Sequence, residues 1–277
     1  MEFGIKSNLK NIQHLINRTP VLVFHKISNQ KEFGINTCPP KKFEAYMKFL
    51  ADQKFQPITF KDLLSDCSHL TKPIIITFDD GYECVYNFAL PVMKDFGFPA
   101  AIFMVAGFID HWNDWDVNLG GIKFRHLSNS QILDMHKEGW EIGSHTKNHV
   151  ALSFLNSRRL ENELLKSKVI LEDIINEKVI SIAYPFGLQN SNVLKAAMNT
   201  GYVFGCKNFS WSSNTIDLFN IPRISIDRTD NIRSFENKIS PGNLSGYLKI
   251  KLAFTNRLAS FSPIYQLLFR QNLFLEK

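Results

Sequence analysis

The sequence of 277 residues predicts an α/β protein with parallel strands, and two short runs of residues support this fold class. The first run, residues 74–81, reads Ile-Ile-Ile-Thr-Phe-Asp-Asp-Gly, so a strand that is apolar on both faces ends in two adjacent carboxylates. In the second run, residues 140–149, another short strand ends in polar side chains that include two histidines. Active sites of parallel α/β folds lie at the carboxyl ends of the strands, so both runs mark candidate functional positions.

Strands and helices are predicted from the spacing of apolar residues along the rest of the chain. Compact apolar runs favour strands, and apolar residues three or four apart favour helices. The predicted strands lie near residues 21–25, 55–59, 74–78, 100–105, 140–144, 179–184, 202–206 and 221–226. The predicted helices lie near residues 43–50, 60–64, 82–96, 128–137, 157–176 and 193–199.

The side chains at the two strand ends suit a metal ion. Asp79 and Asp80 repel each other, and a nearby divalent cation would relieve that repulsion. His145 and His149 are four residues apart, so one helical turn would place both imidazoles on one face. Two histidines and one aspartate form a three-ligand site of the catalytic zinc type. Taken singly, the aspartates fit a solvated turn and the histidines a structural pair, but their joint occurrence favours a metal site.

These motifs resemble those of a known family. The Thr-Phe-Asp-Asp-Gly of residues 77–81 and the Ser-His-x-x-x-His of residues 144–149 are similar to the first two motifs of polysaccharide deacetylases of the NodB-homology type, carbohydrate esterase family 4. The resemblance covers roughly residues 20–226. It implies a distorted (β/α) barrel and the metal-dependent removal of acetyl groups from an N-acetylated sugar.

The resemblance also implies roles for individual residues. By position, Asp79 is the general base, and Asp80, His145 and His149 hold the metal ion. The Val-Phe-His-Lys-Ile around His25 resembles an early motif of the branch typified by poly-N-acetylglucosamine deacetylases, in which an early strand supplies the general acid. His25 is therefore the predicted general acid, and no later histidine follows His149 to take that role.

The third motif of the family, Arg-Pro-Pro-Tyr, is altered in this chain. Ala183 stands in place of the arginine and Phe186 in place of the tyrosine, whose backbone N–H supports the oxyanion in the family. Phe186 can keep that role, and Tyr184 is predicted beside it in the substrate site. Arg223 is predicted to replace the missing arginine as the partner of Asp79, the alternative being that it is a surface residue.

Three parts of the chain are predicted: an N-terminal extension (1–19), a polysaccharide deacetylase-like catalytic domain (20–240) and a C-terminal extension (241–277). An insertion at 106–127 contains tryptophans that either stack on sugars or plug a long loop. Trp211 lies in a later loop that is predicted to wall the sugar site.

The charge and the cysteine content of the chain restrict its predicted cellular location and binding partners. The net charge is +6, and from residue 247 onward five basic residues face one acidic residue. We expect residues 244–277 to form basic amphipathic helices that contact an anionic membrane, or that pack on the barrel or a partner. No stacking motif supports a nucleic-acid partner. Four scattered cysteines and no apolar run of signal-peptide length predict a cytoplasmic protein, peripheral at the inner face of the membrane if that contact forms.

The predicted function is removal of N-acetyl groups from a sugar in a surface polysaccharide, a lipopolysaccharide or a lipid-linked precursor. The expected cofactor is a divalent metal ion, with zinc favoured. The altered third motif leaves open a homologue that binds glycans without turnover. An O-acetyl esterase or an amidase acting on another substrate also stays open. A glycoside hydrolase is disfavoured, because adjacent aspartates are poorly placed to flank a glycosidic bond.

Overall fold

A computed structural model describes residues 11–30, 32, 34–67, 69–114, 121–208 and 217–240. In this part of the chain, seven parallel strands close into a barrel. Ten strands are numbered here in chain order: β1 (Val21–Phe24), β2 (Lys26–Ile27), β3 (Thr37–Cys38), β4 (Gln56–Ile58), β5 (Pro73–Phe78), β6 (Ala101–Met104), β7 (Glu141–Ser144), β8 (Ser181–Ala183), β9 (Phe204–Asn208) and β10 (Ile221–Ser225). The barrel order is β1-β10-β9-β8-β7-β6-β5, and the pairing of β5 with β1 closes the ring. The predicted (β/α) barrel is therefore confirmed.

The remaining strands lie outside the ring, and helices cover its outer face. β4 pairs only with the first half of β5, and β2 pairs with β3 as a separate two-stranded sheet. The helices are α1 (residues 11–18), α2 (Pro40–Asp52), α3 (Glu83–Asp95), α4 (Asn129–Lys137), α5 (Ser157–Ile175), α6 (Ser191–Asn199) and α7 (Ile232–Ile239). None of the helices described here has the length and apolar character needed to span a membrane.

Alternate residues of each strand serve two separate cores. Leu22, Ile76 and Phe78 belong to the outer core, which packs under the helices. Val21 and Ile75, which are paired in register, belong to the inner core that fills the barrel. Because side chains alternate between the two faces of a strand, a polar residue at an inner position just past a strand end projects toward the barrel axis.

The amino-terminal end of the barrel is filled by apolar side chains from two segments. Ile12, Leu15 and Ile16 of α1 are buried in the inner core. Phe60, after β4, lies between the rings of Phe103 and Phe204, with ring-centroid distances of 6.0 and 5.8 Å. The amino-terminal end of the barrel is therefore packed mainly with apolar side chains.

Parts of several predicted regions lie outside the described residues. These are residues 1–10 of the N-terminal extension, residues 115–120 of the insertion with Trp115, the loop with Trp211, and the C-terminal extension at 241–277 with its expected membrane contact. The domain boundaries at residues 20 and 240, the cytoplasmic location and the sugar-walling role of Trp211 therefore stay predictions from sequence.

Candidate active site

Three predicted site residues stand immediately after a barrel strand. His25 follows β1, Asp79 follows β5 and His145 follows β7. Each continues the inner face of its strand, so the three side chains converge at the carboxyl end of the barrel. Arg223 reaches the same region from inside β10, where it is 2% exposed.

Asp79 forms a buried, two-pronged ion pair with Arg223. Arg223 Nη1 donates to Asp79 Oδ1 at 2.6 Å, and Nη2 donates to Oδ2 at 2.7 Å. Nη1 also donates to Thr77 Oγ1 at 3.2 Å, and the guanidinium carbon lies 5.2 Å from the centroid of the Phe103 ring. Burial opposes ionisation of Asp79, but the charge of Arg223, its hydrogen bonds and the nearby imidazoles of His145 and His25 together outweigh burial and lower the pKa of the carboxyl to about 2. Arg223 is thus the partner of Asp79, as the sequence predicts, and not a surface residue.

Asp80, His145 and His149 form a compact group that can hold a metal ion. One potential ligand atom from each lies within 4.8 Å of the others, and all three residues are buried. His145 Nε2 and His149 Nε2 are each 3.5 Å from Asp80 Oδ1, and they are 3.2 Å from each other. Burial lowers the pKa of both imidazoles, so each is neutral, which is the form that binds metal ions.

Hydrogen bonds behind this group orient it. His145 Nδ1 lies 2.7 Å from the carbonyl oxygen of Ala183 and must donate to it. The proton is therefore on Nδ1, and Nε2 presents its lone pair to the cluster, as a metal ligand requires. His126, which is fully buried, has its Nδ1 2.8 Å from the carbonyl oxygen of Asp80. The donor set and its orientation fit a divalent cation of the zinc type.

Strained backbone is concentrated in the same place. Asp80, Thr146, His149 and Phe186 have φ angles of 71°, 67°, 53° and 60°, in the left-handed region that side chains other than glycine rarely adopt. Such residues persist only where surrounding contacts fix them, and they cluster at functional sites. The backbone strain and the ionisable cluster therefore mark the same end of the barrel.

Residues 68–205 match the family model described as polysaccharide deacetylase. The chain carries a polysaccharide deacetylase domain. The matched range includes Asp79, Asp80, His145 and His149, so the polar cluster is part of the domain that the comparison identifies.

Two relatives of known name align with the deacetylase domain. YxkH of Bacillus subtilis (strain 168), provisionally named a polysaccharide deacetylase, is 35% identical over 192 residues, which cover 68% of this chain and 63% of YxkH. The poly-beta-1,6-N-acetyl-D-glucosamine N-deacetylase of Staphylococcus aureus (strain MRSA252) is 27% identical over 213 residues, 72% of this chain and 71% of the relative. The chain thus spans less than two thirds of the length of YxkH.

Solved structures share the fold of the deacetylase domain. The deacetylase PplD of Streptococcus pyogenes, solved with acetate, has a TM-score of 0.70 at 23% identity, covering 80% of this chain and 98% of that one. The polysaccharide deacetylase BC0361 of Bacillus cereus has a TM-score of 0.67 at 28% identity, covering 80% of this chain and 69% of that one. The barrel described above is therefore the fold of these proteins.

Phe186 borders the metal-ligand group of the deacetylase domain. Its ring packs edge-on against His149, with centroids 4.7 Å apart. Asn208 Nδ2 donates to the carbonyl oxygen of Phe186 at 3.1 Å, which fixes the turn. Gly187 also has a positive φ of 68°, and a Cβ there would lie 2.7 Å from Asn208 Cγ. The Phe186 backbone is thus held beside the cluster in one conformation.

Tyr184 is the one predicted side chain that the structure places elsewhere among the described residues. It belongs to the outer core, and its hydroxyl donates to the carbonyl oxygen of Phe219 at 3.2 Å. The prediction that Tyr184 contacts substrate is therefore corrected. The reason is the alternation along β8: Ala183 faces the inner core, so Tyr184 faces outward.

His25 lies at the edge of the cluster and is partly exposed. Among the described residues, no hydrogen-bond partner reaches its Nδ1 atom. Burial lowers the pKa of His25 to about 4, while the negative charge of Asp79 acts in the opposite direction. The imidazole is therefore neutral at neutral pH in the substrate-free protein.

Sequence reasoning missed the contacts that hold the site from behind. His126 carries no strand-end signal, yet it contacts the backbone of Asp80. In the same insertion, Trp112 pairs as an isolated bridge with Arg125 and is 52% exposed, so it is not a buried plug. These contacts form because the fold brings the insertion beside Gly81 and Tyr82, and no local sequence pattern predicts that arrangement.

Proposed function

We propose that this chain is a metal-dependent hydrolase that removes N-acetyl groups from an N-acetylated sugar in a surface polysaccharide, a lipopolysaccharide or a lipid-linked glycan precursor. The bond cleaved is a linear amide C–N bond. The observation that carries the proposal is the buried Asp80, His145 and His149 group beside the Asp79–Arg223 ion pair, at the open end of a barrel of the polysaccharide deacetylase family.

Asp80, His145 and His149 would hold the divalent cation, with zinc the expected metal. Bound there, the cation would polarise the amide carbonyl and lower the pKa of a nearby water. The remaining steps belong to side chains and backbone of this chain.

Asp79 is the proposed base. Arg223 keeps its carboxylate ionised and fixes both oxygens, so Asp79 can take a proton from the attacking water without reorienting. The hydroxyl adds to the acyl carbon, and negative charge develops on the acyl oxygen. The backbone N–H of Phe186 is proposed to donate to that oxygen, because its turn is fixed beside His149.

His25 is the proposed acid. The leaving nitrogen needs a proton as the C–N bond breaks, and His25 is an ionisable and partly exposed group at the edge of the cluster. The charge of Asp79 raises the proton affinity of His25, and negative charge on the acyl oxygen acts in the same direction. His25 would take up a proton from solvent and pass it to the leaving nitrogen, and the proton that Asp79 removes from water would return to solvent. The products are acetate and a free amino sugar.

The substrate class is supported by the relative whose name states poly-beta-1,6-N-acetyl-D-glucosamine N-deacetylase activity. The exposed Trp112 adds a surface suited to the apolar face of a sugar ring. An N-acetylated glucosamine polymer or oligomer is thus the first substrate to test.

The experiment measures bound metal and acetate release together, for the wild type and His145→Ala, with His69→Ala as a control at an exposed histidine. The substrates are N-acetylglucosamine oligomers, a lipid-linked N-acetyl sugar and an O-acetylated sugar. We expect one metal per chain and acetate release from an N-acetyl substrate in the wild type and the control, both lost in His145→Ala. Release from the O-acetylated sugar alone would replace the proposal with an esterase, and sugar binding without release would indicate a glycan-binding homologue.

A further inference from the structure

The loop that carries both histidines is held from α5. Glu163 projects from α5 toward Asn148, which directly precedes His149. Glu163 Oε2 accepts from the backbone N–H of Asn148 at 2.9 Å, and Oε1 accepts from Asn148 Nδ2 at 2.7 Å. One carboxylate thus binds both the backbone and the side chain of a single loop residue.

This loop needs such support because its backbone is strained. Thr146 and His149 are both in the left-handed region. On one side of the loop, Ala106 N donates to Thr146 O at 3.1 Å, and Gly107 N donates to Lys147 O at 2.8 Å. Glu163 accepts hydrogen bonds from the other side of the loop. The loop is therefore bonded both to α5 and to the residues after β6.

Burial shows that the Glu163 carboxylate is placed for these bonds. The residue is 9% exposed, and burying a carboxylate is unfavourable unless its oxygens are hydrogen-bonded. One turn further along α5, Ser167 Oγ lies 2.7 Å from Ser144 Oγ, which accepts from Thr146 N at 3.2 Å. The same helix therefore holds the start of the loop and the residue before its second histidine.

We infer that Glu163 is a positioning residue of the metal site: through Asn148 it fixes the loop conformation that brings His149 to His145 and Asp80. The effect of Glu163 on metal binding rests on the proposed function. Its effect on the loop conformation does not depend on that function. Nothing in the motif comparison from sequence pointed to Glu163, because its partner lies 15 residues away.

A matched control lies on the same helix. Glu172 also accepts from a loop backbone, Val179 N, at 3.0 Å, and from Lys168 Nζ at 3.0 Å. Its loop leads into β8 at the other end of α5, away from the histidines. Glu172→Gln therefore reproduces the loss of a loop-holding carboxylate without touching the metal-ligand loop.

The experiment compares the full-length wild type, Glu163→Gln and Glu172→Gln in two measurements. Amide hydrogen exchange of the metal-free proteins reports on loop opening, and competition with a chromophoric chelator gives the zinc dissociation constant. In Glu163→Gln the side-chain amide keeps one oxygen that can accept a hydrogen bond from Asn148. Its NH₂ group replaces the second oxygen and faces a donor of Asn148, so one of the two bonds is lost. We expect faster exchange at residues 145–149 and about tenfold weaker zinc binding, near the lower end of the effect of contacts behind metal ligands. Glu172→Gln should change exchange only near residues 176–180 and leave zinc binding within about twofold.

Two results would overturn the inference: wild-type zinc affinity in Glu163→Gln, or equal losses of affinity in both variants. If the wild type itself binds no zinc, the proposed metal site fails, and exchange at residues 145–149 alone decides whether Glu163 holds the loop. Asn148→Ala provides a milder variant should Glu163→Gln not fold. It removes only the side-chain bond and should shift both readouts in the same direction, and unchanged readouts there would count against the inference.

Discussion

Removing Arg223 should destabilise the protein far more than removing an exposed arginine. In Arg223→Ala, the Asp79 carboxylate, which is 4% exposed, loses its two hydrogen bonds of 2.6 and 2.7 Å. His145 Nε2 lies 3.9 Å from Asp79 Oδ2, which is too far to replace them with a hydrogen bond. The variant thus leaves a buried carboxylate uncompensated, which is costlier than losing the bonds alone.

The magnitude follows from two independent considerations. Hydrogen bonds to charged groups each contribute about 1.5–3 kcal/mol, so the pair gives about 3–6 kcal/mol. Breaking one partner of a buried ion pair costs about 3–5 kcal/mol. We therefore expect the free energy of unfolding of the metal-free protein to fall by about 4 kcal/mol in Arg223→Ala, with acetate release lost.

Urea unfolding at neutral pH measures this change. The control is Arg125→Ala, which breaks the pair between Arg125 and Asp110, 3.7 Å apart and about half exposed. Exposed pairs contribute less than about 1 kcal/mol, so the control should differ little from the wild type. A loss below about 1 kcal/mol in Arg223→Ala would refute the assignment of a stabilising ion pair.

A second variant tests whether the position of the arginine can be moved. Ala183 occupies the position of the family arginine and faces the inner core, on the strand next to β9. The double variant Ala183→Arg, Arg223→Ala returns the guanidinium to that position and fills the space that Arg223 vacates. We expect it to be more stable than Arg223→Ala and to recover part of the acetate release, whereas no recovery would show that Asp79 accepts a partner only from β10.

Three further predictions concern other parts of the molecule. Chelator treatment should abolish acetate release by the wild type, with zinc restoring it, but zinc should not rescue His145→Ala; activity that survives chelation would contradict a metal role. Burial raises the pKa of Glu141, which accepts from Ser181 Oγ and from Lys61 N, above its ordinary value of 4.5. A raised pKa favours folding below the ordinary value, and this contribution is lost as the pH rises above it. The wild type should therefore lose stability relative to Glu141→Gln as the pH rises above 4.5, and parallel stability curves would contradict this. Trp112→Ala should raise KM severalfold for sugar oligomers while leaving kcat and folding nearly unchanged, and an equal KM would remove Trp112 from the substrate surface.

The barrel and the ends of its strands could be predicted because local patterns determine them. Apolar runs identify the strands, and alternation places His25, Asp79 and His145 on the inner face. Even the pairing of Arg223 with Asp79 could be predicted from two signals: Ala183 stands where the resembled motif has an arginine, and an arginine lies on another strand. The same alternation should have excluded Tyr184, since residue 183 and residue 184 of a strand cannot both face the barrel axis.

The supporting contacts could not be predicted, because their partners are distant in sequence and obey no repeat. His126 lies 46 residues from Asp80, and Glu163 lies 15 residues from Asn148 on a separate element. Both look like ordinary members of a loop and a helix until the fold places them behind the metal-ligand group. The spacing of residues in the sequence predicts which side chains lie at the ends of strands. The contacts that hold those side chains in place are visible only in the folded structure.

The closure of the barrel by β1 has a consequence for how the protein acquires activity. β1 pairs with β5 on one side and with β10 on the other, so the ring is complete only after residue 225 has joined it. Asp79 and Arg223 are separated by 144 residues in sequence, and they come into contact when β5 and β10 take their places on either side of β1. Long-range pairings of this kind form late in folding, since much chain entropy must be lost first. A chain that ends before β10, the last of the described strands, would therefore carry the three proposed metal ligands but lack Arg223, the partner of the proposed base Asp79.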